Sequence, residues 1–213
     1  YFYPGHNHSL YSTILASEQI LLTQWSCLYH LKKNSSSTIV TTWDGLLMLG
    51  VEEKFFDQNV FEIKQEDIIS PFQLAEKLVA LGYHSTSTVE EPGTFSKKGE
   101  IFDIYPLGHA PVRLHYFDDL VEHIYEIDLA TQKTNKEKTY PKISLLPAPG
   151  FLTKDEYTTN LRENIPQAQP AFKNKYELRK MIFRNLGEGQ LFENYSAYIP
   201  LFFKNPKARY RYR

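Results

Sequence analysis

The chain has 213 residues, 42% hydrophobic and 23% charged, with 15 Tyr and 14 Phe. That composition fits one ordinary globular domain or two small ones and excludes a largely disordered chain. The formal net charge of −1 is unevenly spread: residues 1–60 carry three basic and five acidic side chains, residues 61–170 carry 11 and 17, and residues 171–213 carry 10 and three. The middle therefore repels a phosphate backbone, while the basic end attracts either such a backbone or an acidic neighbour. Cys27 is the only cysteine, which excludes an intrachain disulfide framework and a thiolate metal cluster and predicts a reducing, cytoplasmic compartment. No apolar run approaches the roughly 18 residues that span a membrane. The opening Tyr1-Phe2-Tyr3-Pro4-Gly5, with no initiator Met, reads as a chain entered midway.

Residues 11–31 carry a helix-compatible apolar pattern in Ile14, Leu15, Leu21, Leu22, Trp25, Leu28, Tyr29 and Leu31, stopped by Lys32-Lys33 and a run of Asn and Ser. The β-branched stretch Thr38 to Thr42 reads as a buried strand, followed by a short apolar segment through Leu46, Leu47, Leu49 and Val51. Residues 60–64 form a strand candidate. Ser70-Pro71 then marks a helix start, since serine caps free amides and proline is tolerated at the first helical position. Phe72, Leu74, Leu78 and Leu81 supply the expected buried stripe and Gly82 the stop.

From Glu90-Glu91-Pro92-Gly93 onward the period changes to two. Ile101 to Tyr105, Val112 to Phe117 and Val121 to Asp128 are strand candidates, and their short connections argue for antiparallel pairing. In the second of these strands Val112, Leu114 and Tyr116 face one side and Arg113, His115 and Phe117 the other. Residues 129–142 form a polar loop or edge, and Pro147, Pro149 and Gly150 punctuate the exit after apolar Ile143 to Leu146. Two further helix candidates, Lys154 to Glu163 and Tyr176 to Asn185, precede the aromatic stretch Phe192 to Phe203. There is no internal repeat.

No G-x-x-x-x-G-K-[ST] loop occurs, so the chain lacks the amide cradle and lysine that hold a triphosphate. His6-x-His8 makes a poor metal site without nearby carboxylates or thiols. His115 and His123, on neighbouring strands, together with Asp118-Asp119, suggest a small hydrolase only if all four converge; in a tight turn the two aspartates read as turn formers. The basic end, with Lys175, Arg179, Lys180, Arg184, Lys204, Lys207, Arg209, Arg211 and Arg213, either follows a DNA backbone or packs on another part of a larger protein. The Arg113/Phe117 side of its strand also has two readings. An arginine beside an exposed aromatic is a common docking composition. Alternatively, Phe117 closes the sheet edge and Arg113 pairs with Asp118 or Asp119.

One stretch decides between these. Residues 91–106, from Glu91-Pro92-Gly93-Thr94-Phe95 to Asp103-Ile104-Tyr105-Pro106, followed by Pro111-Val112-Arg113-Leu114-His115-Tyr116-Phe117-Asp118-Asp119, resemble domain 2 of the excision-repair protein UvrB and of the bacterial transcription-repair coupling factors, the Mfd family. Two further stretches, Ile143-Ser144-Leu145-Leu146-Pro147-Ala148 with Phe151, and Tyr198-Ile199-Pro200-Leu201-Phe202-Phe203, are similar to the coupling factors instead of UvrB. The resemblance implies an α/β and α+β fold: a partial, degenerate P-loop-NTPase-like domain 1 with an inserted small α+β domain 2 that contains an antiparallel sheet. Residues 1–60 match the rear part of domain 1a, 61–150 domain 2, and 151–213 domain 1b.

The family likeness also implies a function. Domain 2 is the docking surface for the damage-recognition ATPase UvrA, and Lys98, Arg113 and Phe117 fall at the contact positions, Lys98 where relatives usually carry arginine. It implies no catalytic site and no cofactor in this chain, with ATP and magnesium serving distant motor domains of a DNA translocase, and RNA polymerase and duplex DNA bound by other domains. A C-terminal domain is expected to mask the docking face. Gln24 and Ser196 depart from the family's usual arginine and glutamate. A DNA-clamping fragment of a UvrB-type protein is the alternative reading.

Overall fold

The computed structural model describes residues 1–5, 18–34, 36–47, 50–51, 54–165, 175–193 and 195–204. The chain divides into two compact units, Tyr1–Phe55 with Leu152–Arg213, and Phe56–Phe151. In the first, β1 (Phe2–Tyr3) precedes α1 (Glu18–Lys33) and pairs in parallel with β2 (Val40–Thr41). Helix α1 buries Leu21, Leu22, Trp25, Leu28 and Tyr29, a three-and-four spacing that puts them on one stripe. Residues 11–17 of the expected helix, His6 and His8 lie outside the described residues. Strand β2 corrects one expectation. Val40 is 62% exposed; among the described residues β2 pairs with β1 alone, and a two-strand ribbon offers its β-branched residues little cover.

After α2 (Trp43–Leu47), the chain enters the second unit within α3 (Lys54–Asn59), which is followed by β3 (Phe61–Lys64) and α4 (Pro71–Ala80). The Ser70 hydroxyl accepts the Gln73 amide at 3.2 Å, and the Gln73 side chain accepts the Ser70 amide at 3.1 Å, a reciprocal capping box. At the other end Gly82, at φ +85, closes a Schellman turn: its own amide donates to Val79 and the Tyr83 amide to Leu78, both at 2.9 Å. Leu74 and Leu78 are fully buried and Leu81 nearly so, an i, i+4, i+7 stripe. Phe72 does not join it. At 66% exposure it points about 200° away from Leu74 around the helix.

Strands β4 (His84–Ser85), β5 (Thr94–Lys98), β6 (Ile101–Tyr105), β7 (Val112–Phe117), β8 (Leu120–Asp128) and β9 (Lys133–Thr139) form a six-stranded sheet in that order. All neighbours are antiparallel except β4 and β5, which pair in parallel. The antiparallel pairing expected of the three strand candidates holds in β6, β7 and β8; β4, which contributes two ladder rungs, runs parallel to β5 because residues 86–93 double back at Gly93, φ +85. A second ribbon joins β3 to β10 (Lys142–Leu145). Alternation sends Phe102, Ile104, Val112, Leu114 and Ile124, all 0% exposed, to the inner face with Leu74 and Leu78. Each such side chain contributes about 1.5–3 kcal/mol by leaving water.

The first unit resumes with α5 (Asp155–Asn164) and α6 (Lys175–Gly187), and ends in a 3-10 segment, Tyr195–Phe202. The side-chain amide of Asn160 donates to the Phe202 carbonyl at 3.0 Å, and that of Asn164 to the Leu201 and Phe203 carbonyls at 2.9 Å. Those bonds satisfy a helix end buried among Phe55, Tyr157 and Phe203, whose rings meet edge to face. Gln24 and Ser196 are 3% and 5% exposed, and the Gln24 amide donates to the Pro4 carbonyl at 2.7 Å. Both side chains are thus packed in the interior of the first unit.

Candidate functional site

Register fixes the composition of the outer sheet face, since residues directly opposite across strands share a side. One row reads Ser96, Asp103, Arg113 and Tyr125; the next reads Lys98, Ile101, His115 and His123. Beyond a bulge between His115 and Tyr116, Phe117 and Leu120 form the last pair before the Asp118-Asp119 hairpin turn. Asp118 sits at φ +51, a left-handed position that suits aspartate. Lys98, Arg113 and Phe117 therefore lie on one face, and His115 stands between the latter two along β7 and in the row of Lys98.

The three residues differ in freedom. Phe117 is 63% exposed, and Lys98, beside the Gly99 turn, is exposed without an ion pair among the described residues. Arg113 is held. Its Nε and Nη2 donate to the two carboxylate oxygens of Asp103 at 2.7 and 2.8 Å, and Nη1 donates to the Thr134 hydroxyl at 3.2 Å. The Arg113 side chain is 16% accessible and that of Asp103 only 4%. The partner of Arg113 is thus the cross-strand Asp103, not Asp118 or Asp119. A guanidinium has five N–H donors, so two remain at the Nη1/Nη2 end for an outside acceptor. Asp103 raises the pKa of Arg113, first through the hydrogen bond and then through its charge, against the opposing effect of burial.

Asp103 escaped the sequence reading. Its signal is a lone carboxylate inside the apolar run Ile101-Phe102-Asp103-Ile104, which demands a buried cationic partner. His115 is also more than a neighbour. Its ring meets Tyr125 edge to face at 5.2 Å, and its pKa is lowered by burial and by the nearby charges of Arg113, His123 and Lys136, with Asp103 opposing.

The hydrolase arrangement is not built. His115 and His123 pair across β7 and β8 on an open sheet surface, and Asp118 and Asp119 are exposed in the hairpin turn. Among the described residues no group of three or more His, Cys, Asp or Glu could hold a metal, and no helix is long and apolar enough to cross a membrane. At the basic end, the guanidinium groups of Arg162 and Arg179 lie over the Phe183 ring at 5.1 and 5.7 Å, while Lys207, Arg209, Arg211 and Arg213 fall outside the described residues.

Residues 61–151 match the UvrB interaction domain family. The chain is 27% identical to the transcription-repair-coupling factor of Haemophilus influenzae over 95% of its own length, and 25% identical to that of Staphylococcus haemolyticus over 98%. In Bacillus subtilis the identity is 32% over 66% of the chain. This chain is a UvrB-like module of the transcription-repair-coupling factor family. It spans 17% of the length of the Haemophilus and Staphylococcus coupling factors it matches. In this coupling-factor module the interaction-domain match runs from the first residue of β3 to Phe151, so it contains all six strands of the sheet and the whole face that carries Lys98, Arg113 and Phe117.

Proposed function

We propose that this chain is the UvrA-docking module of a transcription-repair coupling factor, which recruits UvrA to a stalled RNA polymerase by presenting the surface that UvrB presents. The observation that carries this reading is the register of β5, β6 and β7, which puts Lys98, Arg113 and Phe117 on one outer face. Phe117 offers apolar area, Arg113 offers two pre-aimed donors, and Lys98 offers a charge without an ion pair among the described residues. Together they suit a partner surface with an apolar contact ringed by acceptors and a carboxylate. A lysine at position 98 supplies a point charge without a fork, so its contact is less directional than an arginine's.

In this reading residues 1–60 are the rear of domain 1a, 61–150 domain 2 and 151–213 domain 1b, with domain 1 a P-loop-NTPase-like fold that has lost its nucleotide motifs. ATP and magnesium serve motor domains elsewhere in the full protein, RNA polymerase and duplex DNA bind there too, and a C-terminal domain masks the docking face. A competition assay tests the core of it. Excess chain should displace UvrB from UvrA, and a Lys98→Ala/Arg113→Ala/Phe117→Ala variant with an intact fold should not. Equal displacement by both would remove the assignment.

A further inference from the structure

The docking face extends past the hairpin tip. Strand β9 pairs with β8 only from Tyr125 onward, so near the tip a different segment lies beside β8. Ile68 forms an isolated antiparallel bridge with Leu120, framed by the Ile69 amide donating to the Asp119 carbonyl at 2.8 Å and the Val121 amide donating to the Asp67 carbonyl at 3.0 Å. That pattern is a non-hydrogen-bonded pair, whose Cα atoms sit about 4.5 Å apart with both side chains on one side. Leu120 is in turn paired with Phe117. Alternation agrees: Ile69 and Val121, the next residues along, are 9% and 0% exposed on the inner side.

The result is an unbroken row, Phe117, Leu120 and Ile68, running across three adjacent segments on the same outer face as Lys98 and Arg113. Phe117 is 63% and Ile68 83% exposed. Single exposed apolar residues need no explanation, whereas a contiguous row marks a contact surface. Ile68 also forms one wall of an open depression whose other walls are Ile69, Gln73, Glu76, Lys77 and Ala80. Exposed Glu66, Asp118, Asp119 and Glu122 lie around this end of the row, whereas Lys98 and Arg113 lie at the other.

We infer that Ile68, with Leu120, is a second apolar anchor of the docking face, continuous with Phe117, and that it receives an apolar side chain of the docked protein which is flanked by basic groups facing Asp118 and Asp119. This rests on the UvrA-docking reading and adds a residue and a charge polarity to it. The bound protein must present acceptors opposite Arg113 and donors opposite the hairpin turn, so the row has one permitted direction of docking.

Titration of UvrA with the wild-type chain and with Ile68→Asp, Ile68→Thr, Ile68→Val and Phe117→Ala tests it. Ile68→Asp and Ile68→Thr should weaken binding about tenfold or more, Ile68→Val less than about threefold, and all three should melt with the wild type because the side chain is 83% exposed. Thr nearly preserves the shape of Val, so a loss confined to the polar variants reads apolar contact and not folding. Wild-type affinity in Ile68→Asp and Ile68→Thr, beside a loss in Phe117→Ala, overturns the anchor and leaves the docking reading standing. Wild-type affinity in all four variants overturns both.

Discussion

Arg113 and Asp103 face each other across β6 and β7 and share two hydrogen bonds, 2.7 Å from Nε and 2.8 Å from Nη2. The pair converts a flexible cation into a fixed donor. Replacing Asp103 by Asn removes the carboxylate charge and half the acceptor capacity while keeping the size, in a site where Asp103 is 3% exposed. Stability should fall by about 2–3 kcal/mol, somewhat below the cost of breaking a fully buried pair because Arg113 keeps a water-accessible edge. Urea denaturation of wild type, Asp103→Asn, Arg113→Ala and the double variant measures it. The two single losses should not add, since each removes the same interaction.

His115 predicts a pH dependence. Burial and the positive charges of Arg113, His123 and Lys136 lower its pKa in the folded chain, so the unfolded chain binds the proton more readily. Stability is therefore intact above the ordinary imidazole range and is lost as pH falls through the unfolded and then the depressed folded pKa. Between pH 7.5 and 5 the wild type should lose more stability than His115→Gln, as read by chemical denaturation at each pH. Identical pH slopes would mean that His115 titrates as it does in the unfolded chain.

Two glycines separate crowding from backbone conformation. A Cβ on Gly82 would run into the backbone amide of Phe151 and come within 2.8 Å of the Gly150 carbonyl carbon, at φ +85. Gly99, at φ +61, has nothing within 4 Å. Gly99→Ala should cost about 1 kcal/mol, the left-handed penalty alone, whereas Gly82→Ala should cost at least about twice that by pushing the end of α4 off the exit segment. Thermal unfolding of both variants makes the comparison.

Much of this was legible from the chain. Ser70-Pro71 and Gly82 bounded α4 because caps act locally, and the alternation of residues 112–117 gave both faces of β7 before any partner strand was known. What failed depended on neighbours absent from a local window. Phe72 looked like stripe but lies off the Leu74-Leu78-Leu81 line, and Val40 looked buried but is paired, among the described residues, with β1 alone. Asp103 was hidden for the same reason: its meaning is set by Arg113 ten residues on, through a register that no periodicity encodes. The identity of the partner came from resemblance, since an exposed Phe beside a paired Arg names a surface and not what binds it.

Isothermal titration of UvrA with the wild-type chain and with Arg113→Ala and Phe117→Ala tests most directly whether this sheet face docks UvrA. Each substitution should cost about 1–4 kcal/mol of binding, with Phe117→Ala leaving the melting temperature unchanged because its ring is 63% exposed. Unaltered affinity in a folded Phe117→Ala and a folded Arg113→Ala would contradict the account.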